Sequence, residues 1–460
     1  MIFKAVFVIL CHKFLFILKR TDNQSKFDAL RKEFSTFTFE SQTVKRENGT
    51  LSLAFDFNLD DRYHFRPTLE IPARPFFDWD GIPEEQLQAL AFQIGMTELV
   101  SYWKIACPQR VVVKPFALTE SQKAFWKKLY YNGLGEFLYL NSITVSKAEL
   151  MEIVTLPIDS LPSHVLRWND MGSWFDEKTL VPVGGGKDSV VTLECLRNEM
   201  PVIPLIVNPR GATLNCVKTA GYKEDEFIVI NRTLDPTMLQ LNAEGYLNGH
   251  TPFSALLAFI SVLVAFGSRS KYIALSNENS ANESTVPGTN INHQYSKSIE
   301  FESDFRNYVA ENISEEVQYF SFLRPLSELQ IAKLFSQCEA YHPVFRSCNA
   351  GSKTDSWCGK CPKCLFTWII LSPFLSKEKL MAIFGKDLMA DESLQPIYEE
   401  LNGTAAVKPF ECVGTVEEVR ACMEAVNGNR QKVVEILQRF NTHHFLPEKF
   451  EQILKSRLYV

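Results

Sequence analysis

The sequence predicts an α/β protein built around a doubly wound parallel sheet that is covered by helices. From residue 180 onward, short apolar runs alternate with helix-like segments, and this order is typical of parallel sheets. A glycine-rich turn at 184–186 joins one of these runs directly to a helix start. Upstream patterns predict an N-terminal α+β domain, and a C-terminal helical region follows four closely spaced cysteines.

The N-terminal α+β domain is assigned to residues 35–170, after an extension of unclear role at 1–34. Its apolar spacing predicts four elements: strands at 50–57 and 62–71, and helices at 83–106 and 120–140. Ser121 is the predicted cap of the second helix. A linker is marked by Pro157, Pro162 and Gly172.

The parallel sheet is assigned to residues 171–345. Its predicted strands are 180–183, 202–207, 226–230 and 272–275. The predicted helices are 190–198 and 253–267, the latter starting at Thr251 and Pro252. Residues 346–460 hold the cysteine cluster and predicted helices at 365–374, 416–426, 430–439 and 448–456.

Bulk composition excludes some classes of function. The 460 residues are 46% hydrophobic and 22% charged, which is an ordinary globular composition. The net charge of −6 provides no general basic surface, so no nucleic-acid partner is expected. Residues 1–20 are apolar but interrupted by charge, which favours an extra strand or a translated upstream stretch over a membrane anchor. We expect no stable membrane partner, and reduced cysteines in a cytoplasmic protein.

The turn Gly184, Gly185 and Gly186 predicts a phosphate-binding site. Glycines let the backbone approach phosphate oxygens, and the free N–H groups of the following helix point at the anion. Lys187, Asp188 and Ser189 follow, a spacing that fits neither the Walker A motif nor the dinucleotide fingerprint. Gly-Gly-x-Asp-Ser resembles the PP-loop of ATP pyrophosphatases, which split ATP between its α- and β-phosphates. A glycine turn that binds no ligand is the alternative.

Polar residues follow the predicted strand 272–275, where ligands of open parallel sheets bind. The run 276–283 includes Asn277 and Glu278 as candidate substrate ligands, with a solvated loop as the alternative. A second polar cluster holds Asn292, His293, Gln294 and Lys297. Arg324 could bind a carboxylate or phosphate bidentately or pair with Glu328, and His250 could meet phosphate or merely pack.

Four of the eleven cysteines lie close together in the sequence: Cys348, Cys358, Cys361 and Cys364. Two overlapping C-x-x-C steps let thiolates converge on one tetrahedral ion, so we predict a structural zinc site. The alternatives are unliganded thiols at a helix start, or a catalytic Cys348 with three remaining ligands.

Taken together, these motifs resemble the bacterial UDP-N-acetylmuramoyl-L-alanyl-L-glutamate epimerase family. The resemblance covers nearly everything after residue 34, in the family's order. The segments that carry it are 183–189, 247–250, 276–278, 292–297, 323–329, 347–349, 357–364 and 408–414.

The resemblance implies inversion of the terminal L-glutamate of the nucleotide-linked peptidoglycan precursor, in a reaction that consumes ATP, requires Mg²⁺ and releases AMP and pyrophosphate. It also implies an adenine-nucleotide α-hydrolase-like fold. Adenylation would neutralise the carboxylate and make the α-proton removable. The glycine loop would hold pyrophosphate, with Asp188 orienting the loop or holding Mg²⁺ through water. Candidates for the acid and base are His250, His293, Lys297 and Cys348, among which the sequence does not choose.

Two other functions stay open at this level. A PP-loop ligase would amidate or thiolate a carboxylate or tRNA base after the same first step, although the sequence has no glutaminase or sulfur-carrier motif. A zinc adaptor that senses nucleotide without turnover would form no AMP.

Overall fold

The computed structural model describes residues 20–155 and 174–458, and these form a mixed α/β fold around one sheet. The strands are β1 Thr36–Glu47, β2 Thr50–Leu59, β3 Tyr63–Phe65, β4 Thr68–Ile71, β5 Arg110–Val113, β6 Glu152–Thr155, β7 Asp176–Pro182, β8 Val202–Val207, β9 Ile228–Thr233, β10 Ser270–Leu275 and β11 Gln318–Ser321. Residues 1–19 of the predicted extension and the predicted linker at 157–172 lie outside the described residues.

The N-terminal strands form a mostly antiparallel meander. Asn48 and Gly49 both have positive φ, 52° and 77°, which is the backbone of the tight turn that Asn-Gly favours between β1 and β2. Along β2, buried residues alternate with partly exposed ones, as the sequence pattern predicts. The predicted strand 62–71 is two shorter strands, β3 and β4, which both pair with β2.

The second half of the sheet is parallel, as predicted. Its strands lie in the order β11-β10-β7-β8-β9, and each neighbouring pair is parallel. The chain runs outward from β7 to β9 and then returns to the other side of β7 with β10. The point where strand order reverses therefore lies between β7 and β10, and ligands of open α/β sheets bind at such points.

The two halves are one continuous sheet. β4 pairs antiparallel with β9, so the order continues as β9-β4-β2-β1-β5-β6. The sheet thus crosses from the region predicted as an N-terminal domain into the region predicted as the parallel sheet.

Helices cover both faces of the parallel strands and create two hydrophobic cores. In β7, Leu180 belongs to one core and Val181 to the other, because successive side chains of a strand point to opposite faces. Alternation of this kind is what a sheet buried on both sides requires. The helices are α1 Gln24–Glu33, α2 Glu84–Trp103, α3 Glu120–Gly133, α4 Gly135–Leu140, α5 Lys147–Leu150, α6 Lys187–Leu196, α7 Gly211–Thr219, α8 Pro236–Ala243, α9 Phe253–Ser268, α10 Ile299–Asn312, α11 Glu328–Ser336, α12 Pro362–Leu371, α13 Lys377–Phe384, α14 Gln395–Leu401, α15 Val416–Val426, α16 Gln431–Leu437 and α17 Glu448–Leu458.

Two predicted helix starts need correction. Thr119, not Ser121, caps α3: its side chain accepts from the Gln122 N–H, and the Gln122 side chain accepts from the Thr119 N–H. The predicted cap at Thr251 is also wrong, since α9 begins after Pro252. Within residues 20–155 and 174–458, no helix is both long and apolar enough to cross a membrane.

Candidate active site

A cavity of about 560 Å³ opens at the carboxyl ends of β7, β8 and β10, where the strand order reverses. Nine of the sequence-predicted site residues line it: Gly184, Gly186, Lys187, Asp188, Ser189, Asn277, Glu278, Lys297 and Cys348. The other predicted residues are not among those that line it. One cavity therefore joins the glycine loop, the polar run after β10 and one cysteine of the cluster.

The glycine loop connects β7 to α6 with a backbone that only glycine accommodates at its centre. Gly185 has a φ of +79°, and a Cβ atom there would lie 2.9 Å from backbone atoms of Ala212 and Thr213. Gly186 is the N-cap of α6, and no side chain of the described residues caps this helix. The first-turn N–H groups of α6 thus remain available to an anion in the cavity.

Lys187 is buried among carboxylates at the start of α6. Its Nζ lies 2.5 Å from Asp188 Oδ1 and contacts Glu328 Oε2 of α11. Burial lowers the pKa of Lys187, but these two carboxylates raise it more, and the ammonium stays charged. Lys187 therefore acts first as the counter-ion that ties α6 to α11.

The residues after β10 are held by a buried arginine. Arg324 is fully buried and donates to the carbonyls of Glu278, at 2.6 Å, and Lys297. It also pairs with the Glu302 carboxylate at 3.1 Å, and not with Glu328 as considered from the sequence. Arg324 thus joins two cavity loops from below, and its direct binding of substrate stays a prediction.

Asn277 and Glu278 reach the cavity itself. The Asn277 amide donates to Ser321 Oγ at 3.0 Å, and Glu278 accepts from Ser280 at 3.0 Å. Burial and the nearby Asp188 carboxylate raise the pKa of Glu278. Beside them, the buried Ser276 hydroxyl has no hydrogen-bond partner among the described residues. This hydroxyl could therefore donate to or accept from a ligand in the cavity.

Asn292 and Gln294 shape the next loop. The Asn292 side chain donates to the Ala281 carbonyl at 2.8 Å and accepts from the Gln294 N–H at 2.7 Å. Gln294 is buried, and its Oε1 has no partner among the described residues. Both residues lie outside the cavity lining, so their predicted substrate contacts stay untested.

Lys297 and Cys412 contact each other at the cavity wall. Lys297 Nζ lies 3.2 Å from Cys412 Sγ, and both side chains line the cavity. Burial lowers the pKa of Lys297, but Cys412 and Glu278 raise it more. Burial raises the pKa of the Cys412 thiol, but Lys297, Lys363 and His293 lower it further, to well below its usual range.

His293 and His250 converge on one carboxylate beside this pair. The ring of His293 is hydrogen-bonded to Glu136 of α4, and His250 Nδ1 lies 3.6 Å from the same carboxylate. Burial lowers the pKa of His293, but Cys412 and Glu136 raise it to about 9. Burial and the neighbouring His293 lower the pKa of His250 to about 4. One imidazole is therefore charged and the other neutral at pH 7.

The four predicted zinc ligands converge in space. Three pairs of sulfur atoms are separated by 3.5 to 3.7 Å: Cys348–Cys361, Cys358–Cys364 and Cys361–Cys364. Zinc bound tetrahedrally at about 2.3 Å separates its sulfur ligands by about 3.8 Å. All four sulfurs lie within 4.8 Å of one another, so the residues fit a zinc ion. Cys348 is shared between this cluster and the cavity lining.

The charge of the cavity suits an anionic ligand. Five lining side chains are cationic and three are acidic; they are Lys187, Arg210, Lys297, Arg346 and Lys363, and Asp188, Glu278 and Glu328. Sequence reasoning assigned no role to Arg210, Arg346, Glu136 or Cys412. A signal existed for Cys412, since it lies in the segment 408–414 that carried the family resemblance.

Comparison with known families decides the affiliation of the chain. Residues 28–322 match the family model of the MurL N-terminal domain, and residues 344–449 match that of the MurL C-terminal domain. The chain belongs to the MurL family. The predicted resemblance is thus confirmed.

Three relatives of this MurL-family chain share the name UDP-N-acetyl-alpha-D-muramoyl-L-alanyl-L-glutamate epimerase. That of a Micromonospora species is 36% identical over 400 residues, covering 84% of this chain and 86% of the relative. That of Salinispora tropica is 35% identical over 406 residues, or 84% of each chain. The protein of Xanthomonas oryzae pv. oryzae is 33% identical over 428 residues, covering 90% of this chain and 91% of the relative.

Proposed function

We propose that this protein epimerises the terminal L-glutamate of UDP-N-acetylmuramoyl-L-alanyl-L-glutamate to D-glutamate, with ATP as the activating substrate. The observation that carries the proposal is kinship along 84–90% of the chain with proteins named for this reaction. The cavity adds support, because an anion-binding helix start and titratable groups line the same space. We further propose that the reaction takes place in the cytoplasm.

Activation of the substrate carboxylate is assigned to the glycine-loop end of the cavity. The α-proton beside a free carboxylate is hardly acidic, because its removal would add a second negative charge to that group. Attack of the carboxylate on the α-phosphate of ATP gives a mixed anhydride and pyrophosphate, and the carbonyl then withdraws electrons. The first-turn N–H groups of α6 and the Ser189 hydroxyl would hold the released pyrophosphate. Mg²⁺ near Asp188 would neutralise phosphate charge.

Proton transfer is assigned to the part of the cavity wall that holds Lys297. There a base removes the α-proton, and the enolate that forms needs a nearby positive charge. Lys297 supplies such a charge at the cavity wall, and His293 stands behind it. Reprotonation on the other face gives the D-centre, and hydrolysis of the anhydride releases AMP.

We also propose one structural zinc per chain, held by Cys348, Cys358, Cys361 and Cys364. The sulfur separations support it. The ion would fix the loop that carries Ser347 and Cys348 against the glycine loop, since a Cβ on Gly186 would lie only 2.9 Å from Ser347 Oγ. It is assigned no step in the reaction.

One experiment separates the proposal from its rivals. The protein is incubated with UDP-N-acetylmuramoyl-L-alanyl-L-glutamate, ATP and Mg²⁺ in D₂O. The expected product is D-configured glutamate with deuterium at its α-carbon, together with AMP and pyrophosphate, and none of these without ATP. A ligase would give a new amide or thio product with the stereocentre unchanged, and a nucleotide-sensing adaptor would form no AMP. Inversion without ATP would contradict the adenylation step.

A further inference from the structure

Cys412 lies on the loop between α14 and α15, at the cavity wall. Its Sγ atom accepts from Lys297 Nζ at 3.2 Å, and the positive charge of His293 also acts on it. The backbone position of this loop is fixed by its neighbour, because Glu411 pairs with Asn349 at 3.1 Å and with Lys363 at 3.8 Å. A thiol thus faces the same space as the glycine loop, with two cationic side chains beside it.

The other thiols of the described residues have different surroundings. Burial raises the pKa of Cys195, Cys216 and Cys338 to about 12, 12 and 11, and it also raises the pKa of Cys107 and Cys422, so these five thiols stay protonated. Four more cysteines converge on one another in the zinc-ligand cluster. Cys412 differs from both groups because it contacts an ammonium and lies under the influence of two further cations, Lys363 and His293.

We propose that the thiolate of Cys412 is the base that removes the α-proton of the activated L-glutamate, with Lys297 as the residue that holds the thiolate in its charged form. This inference rests on the proposed function. The Cα–H bond breaks and an S–H bond forms on Cys412. The electron pair of the broken bond moves to the carbonyl oxygen of the anhydride, giving an enolate near the Lys297 ammonium. A water-exchanged donor then returns a proton to the opposite face.

The groups considered from the sequence fit this step less well. Lys297 is held as an ammonium by Cys412 and Glu278, so it has no lone pair to accept a proton. His293 is protonated at neutral pH, and it lies with His250 outside the cavity lining. Cys348 lines the cavity, but its sulfur points into the four-cysteine cluster, 3.7 Å from Cys361.

The test measures two signals in D₂O with the dipeptide substrate, ATP and Mg²⁺: release of pyrophosphate and deuterium at the α-carbon. Cys412→Ser should lower deuterium incorporation by about 10²–10⁴-fold, the usual contribution of a general base. Pyrophosphate release should continue near the wild-type rate, because water can still hydrolyse the anhydride. Cys338→Ser is the matched control, a partly exposed thiol outside the cavity, and should behave as wild type.

The outcomes separate the inference from the proposed function. Deuterium incorporation near the wild-type rate in both Cys412→Ser and Cys412→Ala would overturn the assignment of the base. Loss of both signals in these variants would also overturn it, because Cys412 would then support the cavity and not react. If the wild-type protein releases no pyrophosphate with this substrate, the proposed function itself fails, without reference to any variant.

Lys297 is tested as a positioning residue by a pH profile. The charged groups that act on Cys412 are the cations Lys297, Lys363 and His293 and the carboxylates Glu278 and Glu411. Lys297→Met should shift deuterium exchange to higher pH, since the thiol then ionises less readily, and Lys297→Arg should restore exchange at neutral pH. An unchanged pH profile in Lys297→Met would remove Lys297 from this role.

Discussion

Two parts of the cavity wall differ in their chemistry: the glycine-loop end at residues 184–189, and the thiol end at Lys297 and Cys412. At the glycine-loop end, the first-turn N–H groups of α6 are free of side-chain caps. The ammonium of Lys187 is paired with the carboxylates of Asp188 and Glu328. At the thiol end, side chains face the space, and the Lys297 ammonium lies against the sulfur of Cys412. Backbone N–H groups do not ionise between acid and alkaline pH, whereas a thiol beside an ammonium readily loses and regains its proton.

This difference indicates a division of labour. Backbone N–H groups suit the binding of polyphosphate because they do not ionise, whereas proton transfer requires a side chain that can gain and lose a proton. Substitutions at the loop end should therefore reduce pyrophosphate release and everything after it. Substitutions at the thiol end should reduce only proton exchange.

The largest effect is expected from the cysteine cluster, which adjoins both ends. Cys361→Ser or removal of the metal should abolish both signals and greatly lower the temperature of unfolding, because a structural zinc site contributes binding energy of about 10–16 kcal/mol to the folded state. Elemental analysis should find about one zinc per chain in the wild type. A metal-free protein with unchanged stability would contradict the zinc assignment.

A smaller but substantial effect is expected at Lys187. Lys187→Met leaves the buried Glu328 carboxylate without its counter-ion, and unfolding in urea should show a loss of about 3–5 kcal/mol. The paired variant Lys187→Met with Glu328→Met removes both charges and should recover most of this loss. If the double variant is no more stable than the single one, the ion pair is not the cause.

Gly185→Ala tests whether the glycine loop controls pyrophosphate release. The added Cβ would meet the backbone of α7 at 2.9 Å and displace the loop, so pyrophosphate release should fall by about 10²-fold. Gly428→Ala is the matched control: its φ is also positive, at +97°, but no atom lies within 4 Å of the added Cβ. If both variants lost pyrophosphate release equally, the cause would be the backbone strain of alanine at positive φ and not displacement of the glycine loop.

The smallest effect concerns His250, which lies beside His293 and outside the cavity lining. Its pKa in the folded protein is about 4, while its ordinary value is 6.5. Between these values the unfolded chain binds more protons, so stability should fall as the pH drops from 6.5 to 4, by about 1–3 kcal/mol. His250→Gln should flatten this slope in urea titrations at several pH values. The same change at His64, which is exposed on β3, should leave the slope as in the wild type.

Local patterns predicted the parallel strands and the glycine loop well, because both depend on residues that are adjacent in sequence. Strand β8 and helix α15 have the predicted bounds, and the predicted turn at 184–186 lies at the strand-order reversal. The cysteine cluster was also predictable, since close spacing in sequence limits how far the sulfurs can separate.

Longer-range relations were not predictable in this way. Three contacts in the site join residues that are far apart in the chain: Arg324 with Glu302, Lys187 with Glu328, and Cys412 with Lys297. The sequence shows the residue types but not their distances, and the charge of a thiol depends on those distances. This is why Cys412 was read as part of a motif and given no chemical role.

The pairing of β4 with β9 has a consequence for the order in which the molecule assembles during synthesis. Because one sheet runs through both halves, strands near the N-terminus complete their hydrogen bonding only after β9, at residues 228–233, has been made. The loop at residue 412 closes the cavity later still. Residues 413–454 also contribute to the second hydrophobic core, against Val181 and Phe320 of the sheet. We therefore expect the sheet to be fully covered, and inversion to begin, only after these residues have left the ribosome.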